Sequence, residues 1–141
     1  MIARTTRPGK SNFFEALEFI RDVIRNGAIE AIKKHSLRWV ILPVSPSAEQ
    51  FSRVIFLMVD KLLNQTKMVN GEKEVKLHSI IVHETETGYA QGFREDAYST
   101  LMGEIHLEDI LFSKQVKDEW SDSNMWDKLI QNKTFTNPLP K

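Results

Sequence analysis

The sequence contains no cysteine. Disulfides, thiolate nucleophiles, iron–sulfur clusters and zinc fingers are excluded with it. It also lacks an excess charge of either sign, since 19 Lys and Arg balance 19 Asp and Glu. A chain that gained its affinity by neutralising phosphates would be basic, so no nucleic-acid partner is expected. No apolar run reaches the length of a bilayer span, so no membrane partner is expected either. The N-terminus, Met1 to Pro8, is basic but has no apolar stretch of signal-peptide length behind it, so the expected location is the cytoplasm. Phosphate-binding glycine loops, nucleophile elbows and internal repeats are missing as well. What is present is the composition of one folded domain: 141 residues, 41% apolar and 27% charged.

Residues 1–10 read as a flexible arm ending in the breaker Pro8-Gly9-Lys10. Ser11 or Asn12 then offers an N-cap. Phe13, Leu17, Ile20, Ile24, Ala28 and Ala31 step along one helical face, so a helix is expected to run to Lys33-Lys34-His35 through Gly27. Leu37 to Leu42 is a short β-type run stopped by Pro43. Pro46 suits the start of a second helix, whose stripe Phe51, Ile55, Met58 and Leu62 is read as core. Val75 to Glu84 has strand composition, Thr87-Gly88 turns the chain, and Tyr89 to Phe93 returns antiparallel. Ile105 to Phe112 and Lys114 to Ile130 read as helices with acidic faces, and Thr134 to Lys141 as a tail. Asp118, Glu119, Asp122 and Asp127 lack the spacing and central glycine of a calcium loop and read as a solvated face.

Two segments carry a resemblance. One is Pro46-Ser47-Ala48-Glu49 at a helix start, and the other is His83-Glu84-Thr85-Glu86-Thr87-Gly88-Tyr89-Ala90 at a strand end. With the helix opening Phe13-Phe14-Glu15-Ala16-Leu17, they resemble the C-terminal half of the 6-pyruvoyl-tetrahydropterin synthase and 6-carboxytetrahydropterin synthase family, over residues 11–93. The resemblance implies an α+β, tunnelling-fold-like domain over 11–93: two helices packed on an antiparallel sheet. Residues 94–141 would be a helical acidic extension and tail. The family's first hairpin, which carries the zinc-binding histidines, has no counterpart expected in the arm. An isolated two-stranded sheet is marginal. Another copy, a different chain or the C-terminal residues would have to complete it.

The resemblance also assigns chemistry. Glu84 matches the carboxylate that receives the amino-pyrimidine edge of a pterin, where two parallel N–H donors meet two oxygens. Thr85 adds a hydroxyl beside it. His35 matches a catalytic, proton-transferring histidine, but Lys34 stands where its aspartate partner is expected. An ammonium there lowers the basicity that a carboxylate would raise. His35, His78, His83 and His106 are the four histidines, and none of them forms a three-ligand zinc set by its spacing. The expectation is therefore no cofactor held by this chain, with zinc bound only if another polypeptide supplies the ligands. The implied activity is lyase-like, in the supply of pterins for tetrahydrobiopterin or for 7-deazaguanine nucleosides such as queuosine. The implied partners are a second copy, as a homo-oligomer, or a second tunnelling-fold chain, together with a pterin-like small molecule. Two alternatives stay open: a non-catalytic oligomerising or regulatory module on the same scaffold, and a small α+β interaction protein outside the family.

Overall fold

A computed structural model describes residues 2–4, 12–35 and 38–137. Helices and small sheets alternate along the chain, an α+β composition. The chain forms two compact units.

The first unit is drawn from Met1–Leu42 and Ile110–Ser123. Its sheet has three antiparallel strands in the order β1 (Ile2–Arg4), β2 (Trp39–Ile41), β6 (Leu111–Phe112). Part of the expected arm is thus a strand, with Ile2 opposite Ile41 and Arg4 opposite Trp39. The single helix expected before β2 is two helices, α1 (Asn12–Asn26) and α2 (Ala28–His35). Gly27 separates them at φ +86°, a left-handed conformation that glycine adopts without the usual steric cost. Leu17, Ile20 and Ile24, on the apolar face read from the sequence, are exposed. The helix instead presents buried Asp22 to α2, where Lys34 Nζ meets its carboxylate at 2.9 Å.

The helix expected over Ile105 to Phe112 is a 3-10 turn, Leu107–Asp109, followed by β6. The helix expected over Lys114 to Ile130 is two short helices, α5 (Lys114–Asp118) and α6 (Met125–Ile130). The reason is local. Ser113 Oγ accepts from Val116 N at 3.3 Å and caps α5, so no helix continues through it. The polar run Ser121-Asp122-Ser123-Asn124 competes for its own backbone and separates α5 from α6.

The second unit is drawn from Pro43–Asp109 and Asn124–Lys141. Its centre is α3 (Ala48–Gln65). Ser47 caps it, its Oγ accepting from Gln50 N at 3.2 Å. The expected core stripe Phe51, Ile55, Met58 and Leu62 is only half-buried, and the fully buried side carries Ser52, Arg53, Phe56 and Asp60. α3 runs directly into β3 (Thr66–Met68), which pairs in parallel with β7 (Phe135–Asn137) in the expected tail. The long strand expected from Val75 is only β4 (Ser79–His83), and its partner β5 (Tyr89–Phe93) falls where expected. A four-residue helix, α4 (Arg94–Ala97), follows β5 directly. Trp126 and Leu129 of α6 are buried with Phe56, Leu57 and Ala97 in this unit.

Candidate functional site

The β4–β5 ribbon has two unlike faces because strand side chains alternate. Ile80, Val82, Ala90 and Gly92 face α3. Gly92 lies so close that a Cβ there would sit 2.6 Å from Ser52 Oγ. The other face shows Ile81, His83, Tyr89, Gln91 and Phe93 to solvent. The Tyr89 ring stands 5.6 Å from that of His83, and His78, just before β4, meets Phe93 edge-on at 5.7 Å. Among the described residues, β7 does not pair with this ribbon.

Glu84 to Gly88 close the ribbon. Their loop is tied on one glycine. Gly88 O accepts from Glu84 N at 3.0 Å and from Thr85 N at 3.2 Å. Gly88 N donates in return to Thr85 Oγ1 at 2.8 Å. The backbone of Glu84 is therefore fixed while its side chain stands exposed beyond the last ribbon pair, His83 and Tyr89. The structure brings Glu84 and Thr85 together in this loop. His35 is the last residue of α2 in the first unit, and its side chain lies outside the described residues.

A second polar cluster, absent from the sequence-based candidates, underlies the ribbon. Asp60 on α3 is 2% exposed. Arg94 donates to both of its oxygens, Nη1 to Oδ2 at 2.9 Å and Nη2 to Oδ1 at 2.6 Å. The Tyr98 hydroxyl donates to Oδ2 at 2.5 Å. Arg94's hydrogen bonds hold the Asp60 carboxyl below its ordinary range, against burial that pushes it up, and Tyr98's hydrogen bond adds to the lowering. Burial first, and then the bond to Asp60, raises the Tyr98 phenol. The Arg94 guanidinium also lies over the Phe56 ring, 5.4 Å from its centroid.

Arg53 is the other buried charge on α3, and burial lowers its pKa. Its guanidinium donates to the carbonyls of Asp96, Ser99, Met102 and Gly103 and to Gln50 Oε1, all within 3.0 Å. It fastens the segment after α4 to α3. Charged residues at 53 and 60, on one helical face with Phe56 between them, are the signal that an apolar-stripe reading passes over.

The described residues do not fit a zinc site. Among the described residues no group of three or more His, Asp or Glu is placed to hold a metal ion, and zinc needs three converging protein ligands. No helix among the described residues is long and apolar enough to cross a membrane.

No family model matches the chain. It is 29% identical over 119 residues, 84% of this chain and 55% of the relative, to a 6-carboxy-5,6,7,8-tetrahydropterin synthase of Helicobacter pylori strain ATCC 700392 / 26695. It is 29% identical over 102 residues, 72% of this chain and 51% of the relative, to the protein of that description from Helicobacter pylori strain J99 / ATCC 700824. The chain spans about half the length of the curated relatives it matches. Both likenesses support kinship with the 6-carboxytetrahydropterin synthase family.

Proposed function

We propose that this chain is a pterin synthase-like protein that takes a pterin or related heterocycle on the Glu84 carboxylate, at an interface with another chain. The likeness to two carboxytetrahydropterin synthases carries the reading. The chemistry of Glu84 fits it. A carboxylate accepts two parallel N–H donors at once, and the amino-pyrimidine edge of a pterin presents such a pair.

Exposure argues for the second chain. In bulk water a solvated carboxylate gains little from a new hydrogen bond, because water already supplies one. A neighbour that covers the loop removes that competition. Two observations support such a neighbour: the outer face of the ribbon bears Ile81, Tyr89 and Phe93, and among the described residues no third strand pairs with the ribbon. A second copy, or another tunnelling-fold chain, is the proposed cover. Zinc ligands and a nucleophile would then come from elsewhere than the residues described, with His35 as this chain's proton-transfer candidate. Titration calorimetry with pterin tests the reading. Wild type binds and Glu84→Gln binds at least ~10-fold more weakly, since one oxygen becomes an NH2 that faces a donor. Equal binding by both proteins, or by neither, contradicts it.

One observation favours a second reading, a non-catalytic oligomerising module: the sequence holds no cysteine, so its own residues offer no thiolate nucleophile. Stoichiometric zinc in the purified protein, measured by elemental analysis, would count against that reading.

A further inference from the structure

We infer that Thr85 acts as a positioning residue whose hydroxyl oxygen, clipped to the Gly88 amide, aims the Glu84 carboxylate, and that Gly88 is required as the other half of the clip. The inference rests on the reading of Glu84 as the heterocycle-binding group and gives its neighbour a different task.

The geometry is specific. Five residues join β4 to β5, and the three hydrogen bonds that tie them all pass through Gly88. Its carbonyl holds the amides of Glu84 and Thr85. Its amide is held by Thr85 Oγ1 at 2.8 Å, so that oxygen already has a partner. Glu84 thus lies between β4, which fixes its N-terminal side, and the clip, which fixes its C-terminal side. An exposed side chain on a free loop would lose conformational entropy on binding, whereas one on a tied loop has already lost much of its backbone share. Gly88 fits for a steric reason as well. A Cβ at 88 would sit 2.9 Å from Thr85 Oγ1 and press on the acceptor that holds the turn.

The test compares Thr85→Val, Thr85→Ser, Gly88→Ala and Glu84→Gln with wild type in the full chain. Three quantities are read: pterin affinity, exchange of the Gly88 amide with deuterium, and Tm. Valine keeps the β-branched shape and removes the acceptor, while serine keeps the acceptor. The expected result is ~10-fold weaker pterin binding for Thr85→Val and Gly88→Ala, affinity within about twofold of wild type for Thr85→Ser, and a double variant little worse than either single one. Gly88 amide exchange should quicken in the valine variant and stay slow in the serine one, with Tm nearly unchanged in both. If Glu84→Gln loses affinity while Thr85→Val binds like wild type, the clip does not aim Glu84 and the inference is overturned alone. Additive losses in the double variant overturn it too, because they assign the Thr85 hydroxyl a contact of its own. If wild type and Glu84→Gln bind alike, or neither binds, the reading of Glu84 fails and the inference goes with it.

Discussion

Arg94, the first residue after the ribbon, grips Asp60 of α3 with both terminal nitrogens of its guanidinium, at 2.9 and 2.6 Å. Two parallel bonds fix orientation as well as distance. The chain leaving β5 is thereby fastened to the helix on which the ribbon rests.

Acid should loosen this joint. The folded-state pKa of Asp60 is lowered, first by hydrogen bonds from Arg94. A lowered carboxyl stabilises the fold above its unfolded value, near 4, and the gain is lost as pH falls through the folded value. The urea midpoint of wild type is therefore expected to drop on acidification below about pH 4. Asp60→Asn should be weaker at pH 7 by ~2 kcal/mol, below the cost of breaking a fully buried pair because Arg94 is half-exposed. Its midpoint should also fall less steeply with acid. Parallel curves for the two proteins would contradict the assignment.

Replacing Arg53 should cost more. The buried guanidinium satisfies four carbonyls of residues 96–103. Arg53→Met removes that donor from all four, although Asp96 O still accepts from Ser99 N and Met102 O from Gln50 Nε2, and is expected to lose ~3 kcal/mol by urea denaturation. Arg53→Lys should recover only part of that loss, since an ammonium has three donors and no planar fork. Amide exchange of Ser99 to Gly103 should quicken in both variants.

Gly92→Ala tests the seat of the ribbon. The added Cβ would meet Ser52 Oγ at 2.6 Å and Ser52 Cβ at 3.1 Å. Overpacking of this kind costs ~1–3 kcal/mol. Ser52→Gly in the same chain removes both clashing atoms and should restore part of the stability. A loss unchanged by the second substitution would place the strain elsewhere.

In the first unit, Ser113 Oγ accepts from Trp39 N at 3.1 Å as well as from Val116 N. Ser113→Ala removes a helix cap and a strand-end bond together, for an expected ~1–2 kcal/mol. Ser113→Thr should keep most of the stability. If alanine is as stable as wild type, neither bond contributes.

The legible parts of the sequence were those where one local signal decides. Pro46 marks the start of α3 to within two residues, and Thr87-Gly88 marks the turn before Tyr89–Phe93. Elements decided by partners far along the chain were not legible. β1 and β7 are three-residue strands whose existence depends on β2 and β3. Apolar spacing alone carries a helix through Gly27, whereas its positive φ makes it an end. The buried face of α3 is not legible in the sequence because Arg53 and Asp60 count as surface residues until their partners at 94–103 are known. Of the candidate site, Glu84 and Thr85 were found as neighbours in sequence, but the clip through Gly88 is a property of the folded loop alone.

Diffraction from crystals soaked with pterin addresses the central proposal most directly. The account predicts planar density with its amino-pyrimidine edge on the Glu84 carboxylate and a second chain closing over it. Pterin bound elsewhere, with that carboxylate left in open solvent, would contradict it.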